Sequence, residues 1–122
     1  QPLAVSSLDH LERARIDYDV SSPTYRRSTL DAASELYYRV GGIRIHGCAV
    51  AALCSVATGD LEAYVHIALN PWDYAAGALI VEEAGGRCTR WDGAPLTFFE
   101  GRCGILASNA ALHEGFLSLL RR

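Results

Sequence analysis

The sequence predicts a single layered α/β domain. Stretches with the period of a helix alternate along the chain with short β-rich stretches, and this alternation is typical of α/β domains. The chain has 122 residues, of which 50% are hydrophobic and 20% charged, as expected for a folded globular protein. There is no internal repeat, low-complexity tract or linker, so we expect one domain over residues 1–122.

The first part of the chain is predicted to form a helix, a strand and a second helix. Ser6 or Ser7 can cap a helix over SLDHLERAR. IDYDV then alternates apolar and polar residues, as a half-buried strand does, and Pro23 breaks regular structure in the loop SSPTYRRS. Ser28 caps the helical stretch TLDAASELYYRV, which ends at a glycine pair.

The middle of the chain is predicted to be strand, helix and strand. GIRIHG is a short strand, and CAVAALCSVAT is a helix of small residues that Gly59 closes. LEAYVHIAL is rich in β-forming residues and places its alternate apolar residues on one face. Asn70 is a good N-cap and Pro71 a good first residue for the helix that follows.

The last part of the chain is predicted to contain two strands and a closing helix. RCTRWDGAP has the pattern of a strand and a turn, and CGILASN that of a buried strand. AALHEGFLSLL is amphipathic, and Ser108 or Asn109 can cap it. We expect His10 and His113 to lie on solvent-facing helix positions without a functional role.

Charge and cysteine content exclude several classes of protein. The net charge is −3 and there is no block of Lys or Arg, so we expect no nucleic-acid partner. No apolar run reaches the roughly 18 residues that a membrane span needs. The four cysteines lack zinc-ligand spacing, which favours a reduced, cytoplasmic protein. Cys48 and Cys54 lie among alanines and valines, and we expect them to be small core residues.

The stretch NPWDYAAGALIVEEAGG, residues 70–86, places Asp73 at the third position of a helix. A carboxylate there is stabilised by the positive end of the helix and can return a hydrogen bond to the N-cap, so capping alone explains Asp73. The small residues after it allow the helix to approach a neighbouring layer closely. Such packing would hold the start of the helix rigidly, which a metal ligand requires and a cap does not.

WDYAAGALIVEEAGG, residues 72–86, resembles the C-terminal signature of the inositol monophosphatase family, Mg²⁺-dependent phosphatases that act on inositol and sugar phosphates. The flanking stretches GIRIHGCAVAALCSVATG and GILASNAALHEGFLSLL resemble the family in order and spacing. The resemblance implies the fold of the C-terminal half of these enzymes, with a mixed sheet flanked by helices. It also implies an inositol monophosphatase-like phosphomonoester hydrolase.

The resemblance implies a metal ligand and a substrate-binding turn. Asp73 matches the aspartate that binds a catalytic Mg²⁺ in the family, and carboxylate oxygens suit this ion. Gly47, Cys48 and Ala49 match a turn whose backbone lies against the substrate, where glycine permits close approach and a helix start favours an oxygen. Cys48 replaces the common threonine, and both a packing role and a ligand role stay open for it.

Three further residues are candidates for the substrate side. His66 lies where inositol phosphatases carry a glutamate that binds substrate hydroxyls, and a histidine cannot bind a diol pair as a carboxylate does. This difference disfavours inositol phosphate itself and leaves room for another phosphate ester, such as a related sugar or polyol phosphate. The alternative for His66 is a strand-edge histidine without a functional role. Arg44 matches an arginine that could contact substrate or a partner subunit, or form a structural salt bridge, and His46 could face the same pocket.

The remaining motifs of the family are absent from these 122 residues. Its Glu-Glu pair and its D-P-[IL]-D-G-T segment belong to an N-terminal half, and here the only Asp-Gly pair is Asp92-Gly93. The chain also contains no methionine. We therefore expect a C-terminal, substrate-side domain without catalytic residues of its own, inactive alone, whose N-terminal partner domain supplies most Mg²⁺ ligands. The resemblance also implies a homodimer. The alternative is a non-catalytic fragment or degenerate relative that serves association.

Overall fold

The computed structural model describes residues 2–19, 26–99 and 101–121, apart from the side chain of Arg26. The strands are β1 (Arg15–Asp19), β2 (Gly42–Arg44), β3 (Ala63–Leu69), β4 (Arg87–Arg90) and β5 (Cys103–Ser108). The helices are α1 (Arg26–Tyr37), α2 (Ala49–Thr58), α3 (Pro71–Glu83) and α4 (His113–Leu120). Strands and helices alternate through most of this order, which confirms the predicted α/β class.

Within the described residues, five strands form one mixed sheet in the order β2-β1-β3-β5-β4. β1 is parallel to both β2 and β3, and β5 is antiparallel to β3 and β4. The helices cover both faces. One buried cluster joins α2 and α3 to the sheet, and a second cluster joins α1 and α4 to the opposite face. The mixed sheet flanked by helices is therefore confirmed.

The connections bring three strand ends and two helix starts to one edge of the sheet. α1 connects β1 to β2 across one face, and α2 returns from β2 to β3 across the other. β1 and β3 are thus neighbouring strands, and the helices that follow them, α1 and α3, lie on opposite faces of the sheet. In open α/β sheets, ligands bind outside the carboxyl ends of the strands at such a point. α2 follows β2 and α3 follows β3, so both helices begin at this edge.

Close contact between α2 and α3 depends on Gly77. A Cβ atom added to Gly77 would lie 2.5 Å from Cδ1 and 2.8 Å from Cβ of Leu53 on α2, so only a glycine fits without a shift. This confirms the predicted close approach. The predicted helix ends are also confirmed: α3 starts at Pro71 after Asn70, and α2 closes on Gly59 with φ 86°.

The predicted helix over SLDHLERAR is wrong. The structure has only a short 3₁₀ turn at Leu11–Arg13. Backbone groups of this segment and the residues before it bind neighbouring loops instead. The N–H of Val5 donates to the carbonyl of Ala84 (3.0 Å), and the side-chain amide of Asn109 donates to the carbonyl of Leu8 (2.8 Å). Tertiary contacts therefore outweigh the helical period. α1 begins two residues before the predicted cap, and most of the predicted loop over residues 21–28 lies outside the described residues.

The prediction that Cys48 and Cys54 are core residues is wrong, because both are exposed. Cys54 lies on the side of α2 that faces away from the sheet. The neighbouring side of α3 is exposed as well and equally apolar, with Trp72 at 80% and Leu79 at 58% exposure. We call this surface the outer face of α2 and α3; it consists of Val50, Ala51, Cys54, Trp72, Ala75, Ala76 and Leu79. Among the described residues, none of the helices combines the length and apolar character that a membrane span requires.

Candidate functional site

Asp73 lies in the first turn of α3 at the carboxyl edge of the sheet. The chain enters the helix in extended conformation at Asn70, and the N–H of Asp73 donates to the Asn70 carbonyl at 3.0 Å. Asn70 makes no side-chain cap bond, and within the described residues the carboxylate of Asp73 forms no hydrogen bond or ion pair. Asp73 is partly exposed. Its oxygens are therefore not used by the capping interaction that the sequence also allowed.

Two buried aspartates on β1 each face a histidine, one that follows β2 and one on β3, the two strands that flank β1. Asp17 and Asp19 are two residues apart, so they share one face of the strand, and they are 1% and 6% exposed. Asp17 Oδ2 lies 2.6 Å from Nδ1 of His46, which follows β2. Asp19 is opposite His66 on β3 and its Oδ2 lies 3.7 Å from Nε2 of that ring. Two carboxylate–imidazole pairs thus lie side by side near the carboxyl ends of the parallel strands.

The imidazole of His66 is buried and directed into the chain. Its Nδ1 accepts a hydrogen bond from the N–H of Ala68 at 2.9 Å, so the ring proton is on Nε2, which faces Asp19. Burial lowers the pKa of His66 below its ordinary value, and the nearby Asp19 and Asp73 oppose that effect without reversing it. His66 is therefore a neutral ring near Asp73, and both of its nitrogens face groups of this chain.

The hydroxyl of Tyr64 lies where these groups converge. Tyr64 is 1% exposed, and its hydroxyl has no hydrogen-bond partner among the described residues. Burial raises the pKa of Tyr64 above its ordinary value, and further increases come from Asp19, Asp17, Cys48 and Asp73, in that order. One buried hydroxyl therefore lies within electrostatic reach of β1 and of the first turns of both α2 and α3.

The turn at residues 47–49 leads into α2. Gly47 has φ 73°, and a Cβ atom there would meet nothing within 4 Å, so the backbone is open to an approaching molecule. Cys48 is the N-cap of α2 but makes no side-chain cap bond, and Ala49 is the first residue of the helix. Arg44, at the end of β2, is exposed, and its guanidinium lies beside Gly42. The N–H groups of the first turn can bind an oxygen or an anion here.

The described residues contain no group of three or more His, Cys, Asp or Glu side chains that could hold a metal ion. Asp73 offers one carboxylate with unused oxygens, which fits a partial Mg²⁺ shell, because this ion commonly takes one or two carboxylates with waters and phosphate oxygens.

Comparison with known proteins decides the family. A model of the inositol monophosphatase family matches residues 1–122. The chain belongs to this family. It is 38% identical over 112 residues to the inositol-1-monophosphatase of Bacillus subtilis (strain 168), covering 92% of this chain and 37% of that protein. It is 37% identical over 119 residues to the chloroplastic phosphatase IMPL1 of Arabidopsis thaliana, covering 96% and 32%.

Solved inositol monophosphatases share the fold. The enzyme from Anabaena (Nostoc) sp. PCC 7120 superposes with a TM-score of 0.86 at 33% identity, covering 99% of this chain and 48% of that one. The chain thus spans about a third of the length of the two curated relatives and about half of the solved chain. The inositol monophosphatase resemblance that the sequence predicted is therefore confirmed, while the roles of individual site residues stay predictions.

The sequence prediction missed Asp17, Asp19 and Tyr64. The alternation in IDYDV indicates a half-buried strand whose polar residues face solvent. In the structure, however, all of residues 16–19 are buried. The prediction that His113 faces solvent is wrong. His113 is fully buried, and its ring lies between the hydroxyls of Ser108 (2.6 Å from Nδ1) and Thr89 (2.8 Å from Nε2). The first residue of α4 faces the sheet, because the helix packs on β4 and β5 from its first turn.

Proposed function

We propose that this chain is the C-terminal, substrate-side domain of a Mg²⁺-dependent phosphatase that hydrolyses inositol phosphate or a related sugar or polyol phosphate. The observation that carries the proposal is the position of Asp73. Its unused carboxylate lies at the carboxyl edge of parallel strands in a chain of the inositol monophosphatase family. The curated relatives named above include an inositol-1-monophosphatase.

Asp73 would hold Mg²⁺ together with ligands from outside this chain. Bound Mg²⁺ would activate water and stabilise charge on the phosphate. The contribution of this chain is positional: the contact between Gly77 and Leu53 fixes α3 against α2, and α3 fixes Asp73. The buried ring of His66 lies within electrostatic reach of Asp73.

The turn Gly47–Cys48–Ala49 would lie against the alcohol portion of the substrate. Its support is the open backbone at Gly47 and the uncapped first turn of α2. His66 and Arg44 are the further candidates for that portion of the substrate. None of these side chains has to transfer a proton in this proposal, since the attacking water would belong to the metal centre.

The outer face of α2 and α3 supports a covering N-terminal domain. An exposed apolar surface on two adjacent helices is typical of an interface, and its apolar side chains would be buried by a further layer. We propose that this layer comes from the same protein and brings the remaining Mg²⁺ ligands, so that the 122-residue chain alone is inactive.

A phosphate-release assay tests this division. The 122-residue chain and a complete protein containing it would be assayed side by side with inositol 1-phosphate and Mg²⁺. We expect release only from the complete protein. Turnover by the isolated chain would contradict the division, and no turnover by either would leave the association role as the better proposal.

We also propose a cytoplasmic homodimer. β2 is an edge strand, and Tyr37, Tyr38 and Ile45 around it are 69%, 80% and 60% exposed, which supports a contact between copies at this edge. All four cysteines are free thiols, as in a reducing compartment. Sedimentation of the complete protein should give a dimer that Tyr38→Glu dissociates, and a monomer in the unmodified protein would contradict the proposal.

A further inference from the structure

His46 differs from every other histidine of the chain in the way its ring is held. Asp17 is 1% exposed, and its Oδ2 lies 2.6 Å from Nδ1 of His46, a short distance typical of a hydrogen bond to a carboxylate. The backbone N–H of His46 also faces Oδ1 of Asp17 at 3.5 Å. The side chain of His46 is nevertheless 54% exposed. Nδ1 is therefore fixed on a buried carboxylate, and Nε2 is the nitrogen that remains for a ligand.

His66 has the opposite arrangement, although it lies closer to Asp73 in sequence. Its Nδ1 accepts the N–H of Ala68, its Nε2 faces Asp19, and its side chain is only 6% exposed. A ligand could reach a nitrogen of His66 only by displacing one of these groups. Between the two histidines at this edge of the sheet, His46 has the accessible hydrogen-bonding nitrogen.

We propose that Nε2 of His46 binds a hydroxyl group of the alcohol portion of the phosphate ester, and that Asp17 is a positioning residue that orients the ring. This inference rests on the proposed phosphatase function. His46 directly precedes Gly47, the open turn assigned to the same portion of the substrate. Because Nδ1 carries the ring proton and donates it to Asp17, Nε2 of the neutral imidazole accepts a hydrogen bond from the substrate hydroxyl.

The proposal predicts a substrate class. An imidazole nitrogen accepts one hydrogen bond, so it selects phosphate esters that carry a free hydroxyl near the ester oxygen without requiring a pair of hydroxyls. A buried carboxylate behind the ring fixes both its tautomer and its orientation, as second-layer carboxylates do for other functional histidines. Polyol phosphates should therefore depend on His46, whereas aryl phosphates without a hydroxyl should not.

Steady-state kinetics of the complete protein with two esters tests this. Inositol 1-phosphate carries neighbouring hydroxyls and p-nitrophenyl phosphate carries none. We expect His46→Ala to raise KM for inositol 1-phosphate about tenfold, the loss of one hydrogen bond, with little change in kcat. KM for p-nitrophenyl phosphate should be unchanged. His46→Gln should restore part of the affinity, Asp17→Asn should reproduce the selective rise in KM, and the exposed His10→Ala serves as the matched control.

The outcomes separate this inference from the function on which it rests. If the unmodified complete protein turned over neither of the two esters, the proposed function and the role of His46 would both be overturned. Turnover with an equal loss for both esters in His46→Ala would overturn the hydroxyl contact alone. A selective rise in KM in His66→Ala but not in His46→Ala would assign the contact to His66. Circular dichroism shows whether Asp17→Asn is folded. If it is misfolded, the kinetics of His46→Ala and His46→Gln alone test the hydroxyl contact.

Discussion

The buried histidine of α4 makes the stability of this fold depend on pH. His113 is fully buried, and burial, the largest cause, lowers its pKa from the ordinary value of 6.5 to about 4. Arg87 contributes to the lowering and Glu114 opposes it. In the neutral ring one nitrogen donates to one of the two neighbouring hydroxyls, and the other nitrogen accepts from the second hydroxyl, which then donates to the ring in place of its backbone carbonyl. The perturbation we propose is His113→Gln, whose amide can also donate to one hydroxyl and accept from the other.

The sign and size of the effect follow from proton linkage. As pH falls below 6.5 the unfolded chain takes up a proton at this histidine, while the folded chain takes it up only near pH 4. The contribution of the neutral His113 to the free energy of unfolding is therefore fully present above about pH 6.5, and it is lost progressively as pH falls to about 4. At about 1.4 kcal/mol for each unit of pKa, the loss amounts to about 3 kcal/mol. His66, whose pKa is also lowered, acts in the same direction but is present in both proteins.

Urea unfolding followed by tryptophan fluorescence measures this difference. The free energy of unfolding of the chain and of His113→Gln would be compared at pH 7 and pH 4 at constant ionic strength. We expect the unmodified chain to lose about 3 kcal/mol more than the variant over this interval. The exposed His10→Gln should behave like the unmodified chain. Equal losses in the unmodified chain and in His113→Gln would show that His113 is not the source of the pH dependence.

Two further predictions concern packing and a buried carboxylate. Gly77→Ala should lower the free energy of unfolding by about 1 kcal/mol, because the clash with Leu53 exceeds the gain in helix propensity. The double variant with Leu53→Ala should lose less free energy of unfolding than the sum of the two single variants. Additive losses in urea unfolding would contradict the contact. Glu62→Ala should cost about 2 kcal/mol in the same assay, since the buried carboxylate accepts the backbone N–H of Arg15 at 2.6 Å. Glu82→Ala, on the exposed side of α3, is the control for both, and an equal cost there would contradict the two assignments.

The elements that the sequence predicted best are those with their own local signals. α3 has a proline at its first position and a glycine where Leu53 packs, and these two features account for its start and its contact, whereas Asn70 occupies the N-cap position without a side-chain cap bond. α2 ends at Gly59 because the left-handed conformation there suits glycine. These signals act within a few residues, so they can be recognised without knowledge of the neighbouring strands.

The features that could not be predicted depend on contacts between distant parts of the chain. The insertion of β5 between β3 and β4 has no local signal, nor does the meeting of Asp17 with His46 across 29 residues. The polar positions of β1 look solvent-facing in sequence because alternation alone does not distinguish water from a buried polar site. Cys54 looks buried in sequence because alanines and valines surround it, although the described chain covers only one side of α2 and leaves Cys54 exposed.

The role of Asp73 as a metal ligand, rather than as a helix cap, underlies the proposed phosphatase function. Its most direct test is Mg²⁺-dependent phosphate release by the complete protein carrying Asp73→Asn, with Glu83→Gln on the same helix as control. We predict that Asp73→Asn lowers turnover more than about a hundredfold, while the melting temperature changes little because no hydrogen bond of the carboxylate within the described residues is lost. Normal turnover with unchanged Mg²⁺ dependence would contradict the claim.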